Sequence, residues 1–356
     1  MAFAETIFLT GFPGFIAGRL VTRLAAPGTQ FFLLVQRRFV EKAIADIEEI
    51  AGKTGTPLEN FAIIEGDIVR EDLGMSAEDL EAVRAETTGI YHLAAAYDLA
   101  VPQSVAFAVN LEGTRNVNEF ARTLPELKRY NYISTCYVSG RREGRILETE
   151  LKHGAGFRNY YEETKYLAEL EVEKLKDELP VTIFRPSVVV GDSRTGEIPK
   201  YDGIYYLIRY LRKAPNLLRL INVGNPNVTL NLVPVDFVVD AIAALAGDEA
   251  AAGKTVALAD PAPLDTEELF NAISEAMTGR RSAVTPPSGL VRWALSLPVS
   301  PPLTGLPLSG VPYFFLSQAY DTSVASELLA PRGISCPGFG TYVKNLIKFV
   351  ESHPKL

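Results

Sequence analysis

The sequence predicts an α/β protein: a doubly wound parallel sheet with helices on both faces and a smaller, mostly irregular and helical C-terminal part. Three observations predict it. Short apolar runs alternate with longer amphipathic stretches through the first two-thirds of the 356 residues, the pattern of strand–helix–strand units. A glycine-rich turn, Thr10-Gly11-Phe12-Pro13-Gly14-Phe15-Ile16-Ala17-Gly18, follows the first apolar run and opens a helix. The last third loses the alternation and gains proline.

Taken in order, residues 6–10, 31–35, 62–64, 89–93, 129–134 and 181–184 read as buried strands, being short, apolar and bounded by turn residues. Residues 15–25, 40–51, 104–124 and 159–178 carry helical periodicity. Right-handed crossovers between such strands place a ligand crevice at their carboxyl ends. Residues 1–190 then form the dinucleotide-binding domain. Residues 228–262, including Pro234-Val235-Asp236-Phe237, return to it. Residues 191–227 and 263–356 make up the substrate-binding part.

Composition narrows the function. With 47% hydrophobic residues the chain can bury a sizeable core, and a net charge of −8 argues against nucleic acid as a partner. Two cysteines, Cys136 and Cys336, make no disulfide framework, and three histidines make no metal spacing. Both counts fit a reducing cytoplasm. The apolar run 6–10 enters a glycine turn instead of a cleavage site, so it does not read as a signal peptide. From Trp293 to Tyr320 there is no charge, but Pro298, Pro301, Pro302, Pro307 and Pro312 would break a spanning helix. That stretch suits a wall over an apolar pocket, with weak membrane contact as the alternative.

The glycine turn is a Rossmann-like dinucleotide signal. Gly11 permits the tight turn, and Gly14 lets amides approach a pyrophosphate at the helix N-terminus. The candidate contacts there are Thr10, Gly11, Pro13, Gly14, Phe15 and Ile16. Ala17 stands where a third glycine is usual. The second strand ends in Gln36-Arg37-Arg38 with no acid. Arg37 and Arg38 could hold a 2′-phosphate, which favours NADP(H) over NADH. Asp67, in Gly66-Asp67-Ile68, could accept from the adenine amino group or cap a turn. His92-Leu93-Ala94-Ala95 ends the fourth strand with small residues suited to backbone passing a cofactor, and His92 reads as structural. Ile68, Leu93, Ala94 and Ala95 join the candidate list.

Tyr161 and Lys165 lie four apart, hence on one helical face. A nearby ammonium should lower the phenol pKa and tune it for proton transfer during hydride transfer. Ser134-Thr135 lies one strand and loop upstream. Cys136 reads as a small buried residue.

Together these residues resemble the extended short-chain dehydrogenase/reductases. The glycine turn, Gly66-Asp67, His92-Leu93-Ala94-Ala95, Asn110 in Val-Asn-Leu-Glu-Gly-Thr, Ser134-Thr135, Tyr161/Lys165 and Arg185-Pro186 carry the likeness across about residues 6–240. Within the family, Phe184 to Gly196 with its Arg194-Thr195-Gly196 tail resembles the branch of thioester reductases and fatty acyl-CoA reductases. So do Tyr137-Val138 and Tyr161 to Glu169. The resemblance implies a Thr135–Tyr161–Lys165 triad and an Asn110 that organises the Lys165 side. It also implies nicotinamide contacts from Pro186, Ser187 and Val188. It implies an NADPH-dependent reductase of a carbonyl or acyl thioester, fatty acyl-CoA or aldehyde, with an acyl carrier as a possible donor. Free aldehyde or ketone reduction, a sugar-nucleotide epimerase or dehydratase, and a non-enzymatic NADP sensor are the competing readings. Residues 303–316 and the cluster Tyr205, Tyr206 and Tyr210 suit either an acyl pocket or plain core. Helices 104–124 and 159–178 are the faces on which a homodimer would form.

Overall fold

The structure, a computed structural model, describes residues 3–213, 221–297, 300, 308 and 310–354. Seven parallel strands build the central sheet: β1 Glu5–Thr10, β2 Thr29–Val35, β3 Phe61–Glu65, β4 Gly89–His92, β5 Arg129–Ile133, β7 Val181–Pro186 and β10 Thr255–Leu258. Their order is β10-β7-β5-β4-β1-β2-β3. The order reverses at β1, between β4 and β2, which opens the crevice above the carboxyl ends of β1 and β4.

Alternation in the strands feeds two apolar layers. In β1, Ile7 and Leu9 face one layer and Phe8 faces the other. α1 (Phe15–Leu24) and α2 (Val40–Thr54) cover the first face, joined by α8 (Val235–Leu245). α3 (Ala77–Glu86), α5 (Gly113–Arg122) and α6 (Tyr160–Glu173) cover the second. The six expected strands are present within one or two residues at each end. The seventh, β10, lies inside the segment expected to return but is too short and mixed to read as a strand.

The single helix expected over 104–124 is interrupted. α4 (Gln103–Ala106) passes into a π-helical turn, Phe107–Glu112, before α5 begins. A π turn inserts one residue and re-aims the side chains within it, here Asn110. The helix expected to run to 178 ends at Glu173 and tightens into a 3₁₀ turn, Lys174–Asp177.

The C-terminal part has its own apolar core. It is built by α7 (Ile204–Lys213), α9 (Thr266–Thr278) and the last helix, Phe339–Ser352, with Ile204, Tyr205, Phe270 and Leu346 at its centre. Two short parallel pairs supplement the sheet, and the second joins the two parts. β8 (Val188–Val190) pairs with β9 (Leu232–Pro234), and β6 (Gly144–Ile146) pairs with β11 (Gln318–Tyr320). The Arg194-Thr195-Gly196 tail is a capped turn. Asp192 Oδ1 accepts from the Arg194 and Thr195 amides at 2.9 and 3.0 Å, and Asn345 of the last helix donates to the Ser193 carbonyl at 2.7 Å.

In the uncharged stretch, α10 (Ser288–Leu295) is followed by a 3₁₀ turn at Val311–Phe315 that carries Pro312. Pro298, Pro301, Pro302, Leu303 and Pro307 lie outside the described residues, as does the side chain of Tyr210. Among the described residues no helix is long and apolar enough to cross a membrane.

Candidate active site

The parallel sheet brings the candidate residues to one edge. Gly11 follows β1, Arg37 follows β2 and Asp67 follows β3; Leu93 to Ala95 follow β4, and Thr135 follows β5. Pro186 closes β7, with Ser187 and Val188 next in the chain.

At the turn, Gly11 has φ +95° and a Cβ there would stand 2.8 Å from the Ala94 amide nitrogen. A Cβ on Gly14 would stand 2.6 Å from the Gly11 carbonyl oxygen. Only glycine lets the turn and the β4 loop pass this closely. Ala17 is buried in the adjoining apolar layer, so its methyl is accommodated. Thr10 Oγ1 accepts from the Ala94 amide at 3.2 Å and meets His92 Nδ1 at 2.7 Å. The other His92 nitrogen meets Thr114 Oγ1 at 3.0 Å. Burial, helped by the Lys165 charge, pulls His92 down to about 3. It is therefore a neutral strut.

The residues fit a dinucleotide. No side chain caps the N-terminus of α1 at Gly14, which leaves its first amides available to an anion. Arg37 and Arg38 lie exposed in a 3₁₀ turn, Arg37–Phe39. Arg38 Nε donates to Gln36 Oε1 at 3.0 Å and its guanidinium covers the Phe39 ring, whereas Arg37 has no partner among the described residues. The Asp67 carboxylate accepts from Gln36 Nε2 at 2.9 Å and the Val69 amide at 3.2 Å. It caps the turn, and each oxygen keeps lone pairs that could still accept from an adenine amino group. Ile68 is buried against Gly113.

Thr135 starts a 3₁₀ turn, Cys136–Ser139, and accepts from the Tyr137 amide at 3.2 Å. Its side chain also lies near enough to Tyr161 to favour the phenolate. Tyr161 lies in the first turn of α6, whose N-cap Asn159 accepts from the Glu162 amide at 3.0 Å. Lys165, one turn on, is 3% exposed. Its ammonium donates to the Tyr132 hydroxyl and the Ile133 carbonyl, both at 2.8 Å. Burial pulls Lys165 down to about 7, partly opposed by the Glu169 charge.

This corrects one expectation. Tyr161 is not lowered by Lys165: burial pushes it up to about 12, and the nearby Thr135 side chain only moderates the rise. The reason is geometric, since β5 supplies two acceptors that draw the ammonium towards the sheet. Asn110 acts on the Lys165 side of α6 through backbone and a neighbouring side chain. Its amide accepts from the Ala96 nitrogen (2.7 Å) and donates to the Ala96 carbonyl (3.1 Å) and to Thr164 Oγ1 (3.0 Å). It pins the β4 loop to α6 and touches the residue before Lys165, not Lys165 itself.

Three supports were not foreseen as such. Ser134 donates to the fully buried Glu169, which also accepts from Arg185 Nε at 2.8 Å. Arg185 in turn holds the Glu148 and Glu150 carbonyls, both at 3.1 Å. Glu169 falls on the helical face of Tyr161 and Lys165, a signal that periodicity could have supplied. Cys136 is buried, donates to the Arg185 carbonyl at 3.1 Å and is pushed far above its ordinary pKa, so it is inert. Ser187 donates from its amide to the Leu258 carbonyl at 3.0 Å and from its hydroxyl to the Asn231 carbonyl at 2.7 Å. This fixes the Pro186–Val188 corner.

Sheet order, glycine turn and edge constellation define a Rossmann-type fold of the short-chain dehydrogenase/reductase kind. The chain belongs to the NAD-binding family described as male sterility protein, which matches residues 9–242. It is 26% identical to fatty acyl-CoA reductase wat of Drosophila melanogaster, over 68% of this chain and 54% of the relative. It is 28% identical to the non-canonical nonribosomal peptide synthetase FrzA of a Cladobotryum species, over 97% of this chain and 36% of the relative. The chain thus spans about half or less of the length of these relatives. Among solved structures, the terminal R domain from the myxalamid PKS-NRPS pathway superposes with a TM-score of 0.83 at 24% identity, covering 99% of this chain and 92% of that one.

Proposed function

We propose that this chain reduces an apolar acyl thioester or aldehyde with NADPH. The observation that carries the reading is the neighbouring Thr135–Tyr161 pair at the carboxyl edge, with the Lys165 ammonium one helical turn behind it. Gly11 to Ile16 would hold the pyrophosphate, Arg37 and Arg38 the 2′-phosphate, and Pro186 to Val188 the nicotinamide side. When bound, the nicotinamide supplies the hydride. Thr135 and Tyr161 then donate to the carbonyl oxygen as it gains negative charge. Near neutral pH Tyr161 carries its proton, so it acts as the acid. Lys165 would hold the nicotinamide ribose. With a thioester, the reduced carbon expels the thiol to give an aldehyde, and a second reduction gives the alcohol.

An apolar cavity of about 300 Å³ supports the substrate class; it is lined by Leu207, Leu269, Phe270, Leu290, Val291, Leu295 and Phe314 among others. Tyr206 lines it too, whereas Tyr205 is buried in the core and donates its hydroxyl to no substrate space but meets the Gly191 amide at 2.8 Å. The test is NADPH oxidation with decanal and with decanoyl-CoA, repeated with Tyr161→Phe. The expected result is turnover that the variant loses by roughly a hundredfold or more with cofactor binding retained. Cofactor binding without turnover of either substrate would refute the reading.

A further inference from the structure

Tyr313 comes from the C-terminal part, yet it joins the two elements that carry Thr135 and Tyr161. Its hydroxyl accepts from Asn159 Nδ2 at 2.8 Å and donates to Glu162 Oε1. These are the N-cap of α6 and the residue directly after Tyr161. Glu162 is fully buried and also accepts from the Arg158 amide and guanidinium, each at 2.9 Å. The Tyr313 ring packs on Tyr137 with centroids 4.7 Å apart, and the Tyr137 amide holds Thr135 Oγ1. The Arg158 guanidinium lies 5.4 Å from the centroid of the same ring. The next residue, Phe314, lines the apolar cavity. One 3₁₀ turn therefore presents one side chain to the cavity and its neighbour to the two elements that carry Thr135 and Tyr161.

We propose that Tyr313 is a positioning residue that links filling of the apolar cavity by a substrate tail to the placement of Thr135 and Tyr161. The inference rests on the roles proposed above for that pair and deepens them. A tail packed on Phe314 restrains the turn. The buried Glu162 and Asn159 bonds hand that restraint to the first turn of α6. Binding energy from a part of the substrate remote from the reacting carbon is then used in the chemical step. The consequence is a chain-length preference that resides in kcat and not only in KM.

The experiment compares kcat and KM for butanal and decanal in the parent and in Tyr313→Phe, which keeps the ring on Tyr137 but removes the hydroxyl. In the parent, decanal has the higher kcat. In the variant, the decanal kcat falls roughly tenfold towards the butanal value, while the butanal kcat and NADPH affinity stay as they were. An equal fractional loss on both aldehydes, or no loss, overturns the proposal. Phe314→Ala serves if Tyr313→Phe does not fold, with the same decanal-specific fall expected. Should neither aldehyde react with the parent, the functional reading fails on its own, and the link is read without turnover. Hydrogen exchange of residues 158–165 is followed with and without decanol. Added protection in the parent that Tyr313→Phe lacks sustains the link; equal protection in both, or none in the parent, overturns it.

Discussion

Replacing Lys165 by methionine should make stability respond differently to pH. Lys165 is 3% exposed and is pulled from an ordinary 10.5 down to about 7 because burial disfavours the ammonium. The unfolded chain keeps this proton up to about pH 10.5, whereas the folded chain releases it near pH 7. Between those values the unfolded state holds more protons, so parent stability rises with pH, by up to about 1.4 kcal/mol per unit. Across the full window the ceiling is about 5 kcal/mol. Opposing this, the hydrogen bonds to Tyr132 and the Ile133 carbonyl contribute about 1–3 kcal/mol that methionine forfeits. Near pH 7 the two effects cancel only in part, and Lys165→Met should be the more stable chain by up to about 2–4 kcal/mol. The informative quantity is the parent-minus-variant free energy from urea unfolding at pH 7, 8 and 9, where titrations common to both chains subtract out. It should climb steadily in the parent's favour. A flat difference would mean that the buried amine keeps an ordinary pKa, and the electrostatic account of the site would be wrong.

Two further outcomes follow from the same geometry. Glu169→Gln leaves the buried Arg185 guanidinium facing a neutral amide in place of its carboxylate, so denaturant unfolding should report a loss of about 3–5 kcal/mol; a loss under about 1 kcal/mol would show the pair to be dispensable. Arg37→Glu places a carboxylate where the exposed Arg37, without a partner among the described residues, now stands, so NADPH should bind roughly tenfold or more weakly while NADH binds as well or better. Titration of intrinsic fluorescence with each dinucleotide measures both affinities, and an unchanged preference would remove Arg37 from the cofactor site.

Much of the architecture was legible because it rests on local chemistry. Apolar runs covered on both faces must be strands. The glycine turn admits no side chain at Gly11, where a Cβ would meet the Ala94 nitrogen at 2.8 Å. The four-residue spacing of Tyr161 and Lys165 put them on one face of a helix. What these patterns do not carry is the partner each polar group finds. Asp67, read as an adenine acceptor or a turn cap, takes Gln36 Nε2 and the Val69 amide as partners. Asn110 is turned by the π-helical segment towards Ala96, and that extra residue leaves no mark on the periodicity of 104–124.

The sequence by itself thus determined the strand and helix order, the dinucleotide turn and the identity of the residues offered at the sheet's carboxyl edge. Those depend on steric permission and on repeats within a few residues. Only the tertiary structure decided where the Lys165 ammonium points, that Glu169 and Arg185 support Ser134 from behind, and that Tyr313 reaches Asn159 and Glu162 from more than 150 positions away. The physical reason is that a buried charge or hydroxyl takes whichever partner packing brings within hydrogen-bonding distance, and that partner is set by the fold's crossings rather than by its neighbours in the chain.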